Sequence, residues 1–263
     1  MTDVTVERDV VFRRPPDRAA PLELDVYEPG DGGADRPAVV VSHGGAWIEG
    51  EKGQLEALER GLAERGYVCF DANYRLSGEA TFPTPAEDVA AAVRYAKGHA
   101  AEYGIDPDRI ATTGHSAGAH LAALVAAADG GFDPADATLS STVAAAAPIS
   151  GVYDLRDRTP ETANDLERQF LGGGPDEVPE RYERASPAAH VDEATPPTLV
   201  LHGDDDDLLP ADGAREYART LAAAGRPVEL GVRPGGGHGI VVEPEDWRAR
   251  GIETVADFLD RRL

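Results

Sequence analysis

Apolar positions along this chain change period in a regular way. Short runs that are apolar throughout or alternate lie at Ala38-Val-Val-Val-Ser42, Tyr67 to Ala72, Ile110 to Thr113, Val143 to Ile149, Pro197 to His202 and Val228 to Val232. Their length and continuity predict strands buried on both faces of a parallel sheet. Between them, residues spaced i, i+3, i+4 predict amphipathic helices. The stripes are Leu55, Leu58 and Leu62; Val89, Val93, Ala96 and Ala100; Leu121, Leu124, Val125 and Ala128; and Ile252, Val255, Ala256 and Leu259, with a further helix over 211–224. Pro85 just inside a helix start and Gly66, Gly104 and Gly225 at helix ends mark boundaries. Residues 4–12 and 22–28 alternate around Arg13-Arg-Pro-Pro-Asp-Arg18 and predict an antiparallel edge hairpin. Alternating strands and helices without an internal repeat predict an α/β fold: a central, mostly parallel, eight-stranded sheet with helices on both faces.

Residues 153–195 break the rhythm. This stretch mixes acids, arginines and prolines with Gly172-Gly-Gly174, and carries one helical pattern around Leu166, Phe170 and Leu171. Lying after a strand, it is expected as a cap-like insertion over the sheet's C-terminal edge. The bland alternative is a solvated excursion that meets no substrate. Candidate chemistry runs from residue 43 to residue 238 and must meet in space, so residues 1–263 are read as a single domain.

Charge narrows the function classes. The formal net charge is −23, and 23 of the 25 basic residues are arginines, since Lys52 and Lys97 are the only lysines. That balance argues against a nucleic-acid partner, which needs phosphate neutralisation. An acidic, lysine-poor surface is expected of proteins that work in concentrated salt, where repulsion is screened. The longest apolar runs, Leu121 to Ala128 and Val143 to Ala147, are too short to cross a bilayer. Met1 to Asp9 lacks the basic start and apolar segment of a leader, so the expected location is cytoplasmic. Cys69 is the only cysteine, which leaves no intrachain disulfide and no cysteine-rich metal site. Oligomeric state stays open, a homodimer included.

Chemistry concentrates at Gly114-His-Ser-Ala-Gly118, between a strand and a helix. A chain that reverses this sharply brings two backbones close together, and glycine on either side of Ser116 removes the side chains that would collide. Ser116 is then expected at the tip of a strained turn, near a helix N-terminus. A serine hydroxyl at neutral pH needs a base, and the base needs an orienting acid. Seven histidines compete. His115 is expected to point away across the turn, although it borders the pocket; His120 to pack or to lie at the surface; His99 to lie on an exposed helix; His190 to sit in the cap. His43 and His202 end strands before glycines and are expected to hold loop backbones. His238, in Gly235-Gly-Gly-His-Gly239, follows the last strand on a loop able to lower an imidazole onto the serine. Asp204, Asp205, Asp206 and Asp207 all follow the preceding strand, and spacing alone does not choose among them.

Taken in order, His43-Gly-Gly-Ala-Trp47, Asn73-Tyr-Arg-Leu76, Gly114-His-Ser-Ala-Gly118, Ala185-Ser-Pro187, His202-Gly-Asp-Asp-Asp-Asp-Leu-Leu-Pro210 and Gly237-His-Gly239 resemble the motifs of α/β-hydrolases. The resemblance is to bacterial carboxylesterases related to feruloyl and acetyl-xylan esterases, to the hormone-sensitive lipase group and to kynurenine formamidases. It covers roughly residues 20–260. A His-Gly-x-x-Asp-x-x-Val-Pro pattern laid on His202, Gly203 and Pro210 implies Asp206 as the acid, with Leu209 in place of valine. The resemblance implies a Ser116–His238–Asp206 triad, with oxyanion donors from Gly44, Gly45, Ala46 and Ala117 and a pocket bordered by Trp47 and His115. Ala46-Trp47 in place of a third glycine, and His115 in place of an acid, lean toward the feruloyl-esterase and formamidase side.

The reaction so implied is hydrolysis of small or short-acyl esters, with no cofactor and no metal. Amide hydrolysis of the formamidase type is the rival, and a non-catalytic binding protein of the same fold a more distant one. The charge reading has its own test. Thermal melts in dilute buffer and in molar salt are expected to show a higher Tm in salt, and equal values would count against salt adaptation.

Overall fold

The computed structural model describes residues 3–242 and 245–263; the first two residues of the Met1–Asp9 stretch lie outside them. Eight strands form one sheet: β1 (Val4–Arg13), β2 (Leu22–Pro29), β3 (Arg36–Ser42), β4 (Val68–Ala72), β5 (Ile105–His115), β6 (Ala145–Ile149), β7 (Thr198–Gly203) and β8 (Val228–Arg233). Their order is β1-β2-β4-β3-β5-β6-β7-β8. The hairpin β1–β2 joins antiparallel at one side, and β3 through β8 run parallel. The C-terminal ends of β3, β5, β6, β7 and β8 therefore stand in a row along one edge.

Alternation along the strands decides which face each helix covers. Val39, Val41, Cys69, Ala111, Ala147 and Leu201 pack with Leu58 and Leu62 of α1 (Glu56–Glu64) and Val255 and Leu259 of α7 (Glu245–Asp260). Ala38, Val40, Val68 and Phe70 point the other way, onto Ala92, Val93 and Ala96 of α2 (Thr84–Gly98). Val200 meets Ala214, Tyr217 and Leu221 of α6 (Asp212–Ala223). No helix among the described residues is long and apolar enough to cross a membrane.

Two local expectations need correction. β5 begins ahead of the expected Ile110: Ile105 to Arg109 form its first part, carried in an irregular register that pairs Arg36 with Ile105 and then Ala38 with Ile110. Pro107 cannot donate to a ladder, and Asp106 Oδ1 instead accepts the Asp108 N–H at 2.9 Å. Second, α3 (Ala117–Ala127) is not an amphipathic helix with one apolar stripe: all 11 of its residues are buried. Its small side chains let the sheet press on one side while the cap covers the other.

The cap is built from residues 153–195. It holds α4 (Asp165–Leu171), α5 (Pro179–Arg184) and a 3-10 turn at Pro187–Ala189. Asn164 and Glu167 form a reciprocal capping box at the start of α4. Phe170 stacks on Trp47 with ring centroids 4.6 Å apart, and Leu155, Phe170, Leu171 and Tyr182 share one apolar cluster with Leu121 and Leu124 of α3. The insertion is thus packed onto the core.

One buried feature is costly. Glu59 of α1 and Asp71 of β4 are both buried. Both Glu59 carboxyl oxygens, Asp71 Oδ1 and Tyr27 Oη have no hydrogen-bond partner among the described residues. Burial, then the nearby Asp71, raises the Glu59 carboxyl well above its usual range. Burial pushes Asp71 up to about 7 against the opposing Gly53 N–H. A carboxyl whose folded pKa is raised gives up stability as pH rises from its unfolded value through its folded one. Glu59→Gln removes that loss and supplies a neutral donor. The variant is expected to be more stable than the parent at pH 8 by about 1 kcal/mol or more, with the gain shrinking toward pH 4.5, as read by denaturant unfolding at both pH values.

Candidate active site

Three backbones meet where β5 ends. An added Cβ on Gly118 would lie 2.0 Å from the Ser42 carbonyl oxygen, and one on Gly114 2.6 Å from both that oxygen and the Gly118 carbonyl carbon. Only glycine fits at either place. Ser116 between them takes φ 56° and ψ −117°, a strained conformation for a residue with a side chain. Its N–H is held by the Ile149 carbonyl at 2.9 Å, and its carbonyl accepts the His120 N–H at 3.0 Å, starting α3. Across residues 110–127, Ser116 alone is not buried.

The loop after β3 wraps beside it. Gly45, Ala46 and Trp47 all have positive φ, at 117°, 51° and 62°, so successive N–H groups turn toward the inside of one curve. The N–H groups of Gly45, Ala46 and Ala117 make no hydrogen bond to another described residue. Gly44 does not join them, contrary to the expectation: its N–H donates to Gln54 Oε1 at 2.6 Å. Other side chains pin this loop. Asn73 Oδ1 accepts the Lys52 N–H at 2.8 Å, Asp71 accepts from Gly53, and Tyr74 Oη donates to the His43 carbonyl at 3.0 Å. The Asn73-Tyr74 pair is therefore a brace for the loop, a role no local pattern announces.

On the far side, β7 and β8 deliver Asp206 and His238. Among the four consecutive aspartates, only Asp206 is buried, at 6% exposure. Its Oδ2 lies 2.7 Å from His238 Nδ1 and 3.0 Å from His202 Nε2. Its Oδ1 accepts the N–H groups of Leu208 at 3.0 Å and Leu209 at 2.8 Å. Burial works to raise its pKa, but these N–H donors and His238 outweigh it, so Asp206 stays below its ordinary value as a carboxylate. Asp204 serves the loop instead, where its Oδ1 accepts the Gly235 N–H at 2.6 Å.

The seven histidines sort by what their rings touch. Six meet a backbone carbonyl: His43 that of Gly44, His99 of Tyr95, His115 of His238, His120 of Ala185, His190 of Arg184 and His202 of Leu209. Burial pushes His43, His115 and His120 each down to about 4. His238 alone engages a carboxylate through Nδ1 with no carbonyl on its ring. His99 is half-buried and stacks on Tyr95 at 3.9 Å, not exposed as expected.

Two pocket assignments change. Trp47 is only 4% exposed; its indole stacks on Phe170, and Nε1 donates to His120 Nδ1 at 3.2 Å. It fastens the cap to α3 and does not line an open pocket, because α4 lies over its face. His115 is 7% exposed and does not point away; its ring centroid is 4.8 Å from that of His238. Gln54, Tyr74 and His202 were not singled out for the site by sequence reasoning, although His202 was expected to hold a loop.

A strand–serine–helix corner, an amide-lined loop and an Asp–His pair on one edge of this sheet define an α/β-hydrolase. Residues 24–221 match the BD-FAE family, and the chain belongs to it. Among curated relatives it is similar to esterase LipQ of Mycobacterium tuberculosis, 34% identical over 90% of this chain and 58% of that protein. It is also similar to the probable carboxylic ester hydrolase LipM of the same organism, 40% identical over 70% of this chain and 44% of that protein. The chain thus spans about half the length of the curated relatives it matches. Among solved structures, a truncated carbohydrate esterase from gut microbiota superposes with a TM-score of 0.85 at 26% identity, covering 98% of this chain and 96% of that one. Native esterase 2 of Thermogutta terrifontis gives 0.82 at 27%, covering 99% and 92%. The same enzyme phosphoramylated by tabun gives 0.82 at 28%, covering 97% and 94%.

The glycine contacts make a direct prediction. Gly118→Ala is expected to cost about 3 kcal/mol or more, because a rigid carbonyl stands in the way. Gly78→Ala, where nothing lies within 4 Å, is expected to change stability by less than about 0.5 kcal/mol. Comparable unfolding midpoints for the two would refute the close-approach reading.

Proposed function

We propose that this chain is a serine carboxylesterase that hydrolyses small or short-acyl esters, with Ser116 as nucleophile, His238 as base and Asp206 as its orienting acid. The observation that carries the reading is the 2.7 Å Asp206–His238 pair on the sheet edge that holds the strained Ser116. It is supported by the named esterases among the relatives and by the organophosphate adduct of the Thermogutta enzyme.

In this mechanism His238 Nε2 takes the Ser116 proton as Oγ forms a bond to the ester carbonyl carbon. The imidazolium that results is stabilised by Asp206, which also keeps the neutral ring's proton on Nδ1. Charge developing on the carbonyl oxygen meets the N–H groups of Ala117, Gly45 and Ala46, each such donor being worth on the order of 10²–10³ in rate. The tetrahedral adduct collapses, the bond to the leaving oxygen breaks, and His238 returns its proton to the departing alcohol. Water repeats the sequence on the acyl-enzyme: its proton goes to His238, its oxygen bonds the acyl carbon, and the bond to Ser116 Oγ breaks as His238 returns the proton to that oxygen, freeing the acid. The N–H groups of Leu208 and Leu209, with His238, keep the Asp206 pKa below its ordinary value.

Ser116→Ala is expected to lower p-nitrophenyl acetate turnover by about 10³-fold or more and to abolish labelling by a fluorophosphonate probe. Turnover at the parental rate in a folded variant would overturn the assignment.

A further inference from the structure

The loop that carries His238 has little to hold it in place. Residues 235–239 read Gly-Gly-Gly-His-Gly, so His238 supplies their only side chain. The first half of the loop is tied to the β7 corner: Gly235 N–H donates to Asp204 Oδ1 at 2.6 Å, and Asp205 N–H to the Gly236 carbonyl at 2.9 Å. At His238 there are two further tethers. One is the ring, through Nδ1 to Asp206 at 2.7 Å. The other is the main-chain carbonyl, which accepts from His115 Nε2 at 2.8 Å.

These tethers restrain different motions. A ring held only by Asp206 can still pivot about that bond and carry its Nε2 toward or away from the serine. A second bond to the backbone of the same residue removes the pivot. The donor sits one residue before Ser116, so it ties the base directly to the nucleophile across the intervening ends of β6 and β7. The same ring also borders the amide-lined loop, since an added Cβ on Gly44 would lie 3.1 Å from His115 Nδ1.

We propose that His115 is a positioning residue: its Nε2–H bond to the His238 carbonyl sets the reach of the base over Ser116. The inference rests on the serine-esterase reading above. With its pKa pushed down to about 4, chiefly by burial, the ring is neutral over the working range. Its single proton then lies on Nε2, the nitrogen facing the carbonyl.

The test compares His115→Phe, which fills the space without a donor, with His115→Gln, whose amide N–H falls near the Nε2 position. On p-nitrophenyl acetate, His115→Phe is expected to lower kcat about 10- to 100-fold by misplacing the base, with KM within about threefold. His115→Gln is expected to recover most of that loss. Parental kcat in His115→Phe, or equal losses in both variants, would overturn the role. Imidazole ¹⁵N spectra of the parental protein test it even if a variant fails to fold: His115 is expected to carry its proton on Nε2 from neutral pH to about pH 5, and an Nδ1–H tautomer would overturn it. Fluorophosphonate labelling separates the two levels. A parental protein left unlabelled at Ser116 refutes the esterase reading itself, whereas a labelled parent matched in rate by His115→Phe refutes only the positioning role.

Discussion

Everything at the sheet edge depends on one close approach, where the first turn of α3 is pressed against the end of β3. Two glycines permit it, and the Ser42 carbonyl oxygen occupies the space a side chain would need at either. The approach lifts Ser116 into its positive-φ conformation and brings the loop after β3 alongside the start of α3. A strained residue persists only where its surroundings over-determine it. Here the surroundings are the Ile149 carbonyl on one side and the first helical bond on the other.

Around that point the protein uses buried histidines and carbonyls as fasteners. His43 closes on Gly44 and stacks on Tyr74 at 4.3 Å. His120 grips the Ala185 carbonyl of the cap and accepts from the Trp47 indole. A neutral imidazole suits this work, having one donor and one acceptor at a fixed separation. Ser186, in the Ala-Ser-Pro stretch, does the same with a hydroxyl: it accepts the Leu155 N–H at 2.8 Å and donates to the Tyr182 carbonyl at 2.7 Å. Several short motifs that look catalytic by their position are thus structural, and they bind cap, loop and sheet into one frame.

The charge distribution follows a different logic. With a net charge of −23, acids crowd the surface, yet the buried ones are almost fully engaged. Asp88, with no exposure, takes the Arg75 guanidinium at 2.8 and 3.0 Å together with its backbone N–H. Asp25, equally buried, takes Arg8 at 2.8 Å and Lys52 at 2.6 Å. Glu59 is the exception: neither of its carboxyl oxygens has a partner among the described residues, and burial raises its pKa well above the usual range.

Much of this was legible in the residues alone. Periods of two and 3.6, broken by glycine and proline, located eight strands and the larger helices, because those patterns record which face is buried. The glycines around Ser116 were readable for a similar reason: the absence of a side chain is a local statement about close approach. What the sequence could not decide was anything set by partners distant along the chain. Four adjacent aspartates are chemically alike, and only the fold buries Asp206 and turns it to a histidine 32 positions later. Gly44 looks like its neighbour Gly45 until Gln54 claims its N–H. Trp47 reads as a pocket residue because it flanks the chemistry, but the cap covers it, and His115 turns toward the His238 backbone instead of away. Local pattern determined which elements form and in what order, while the start of β5, the all-round burial of α3 and the matching of donors to acceptors waited on three-dimensional proximity, which no run of neighbouring residues encodes.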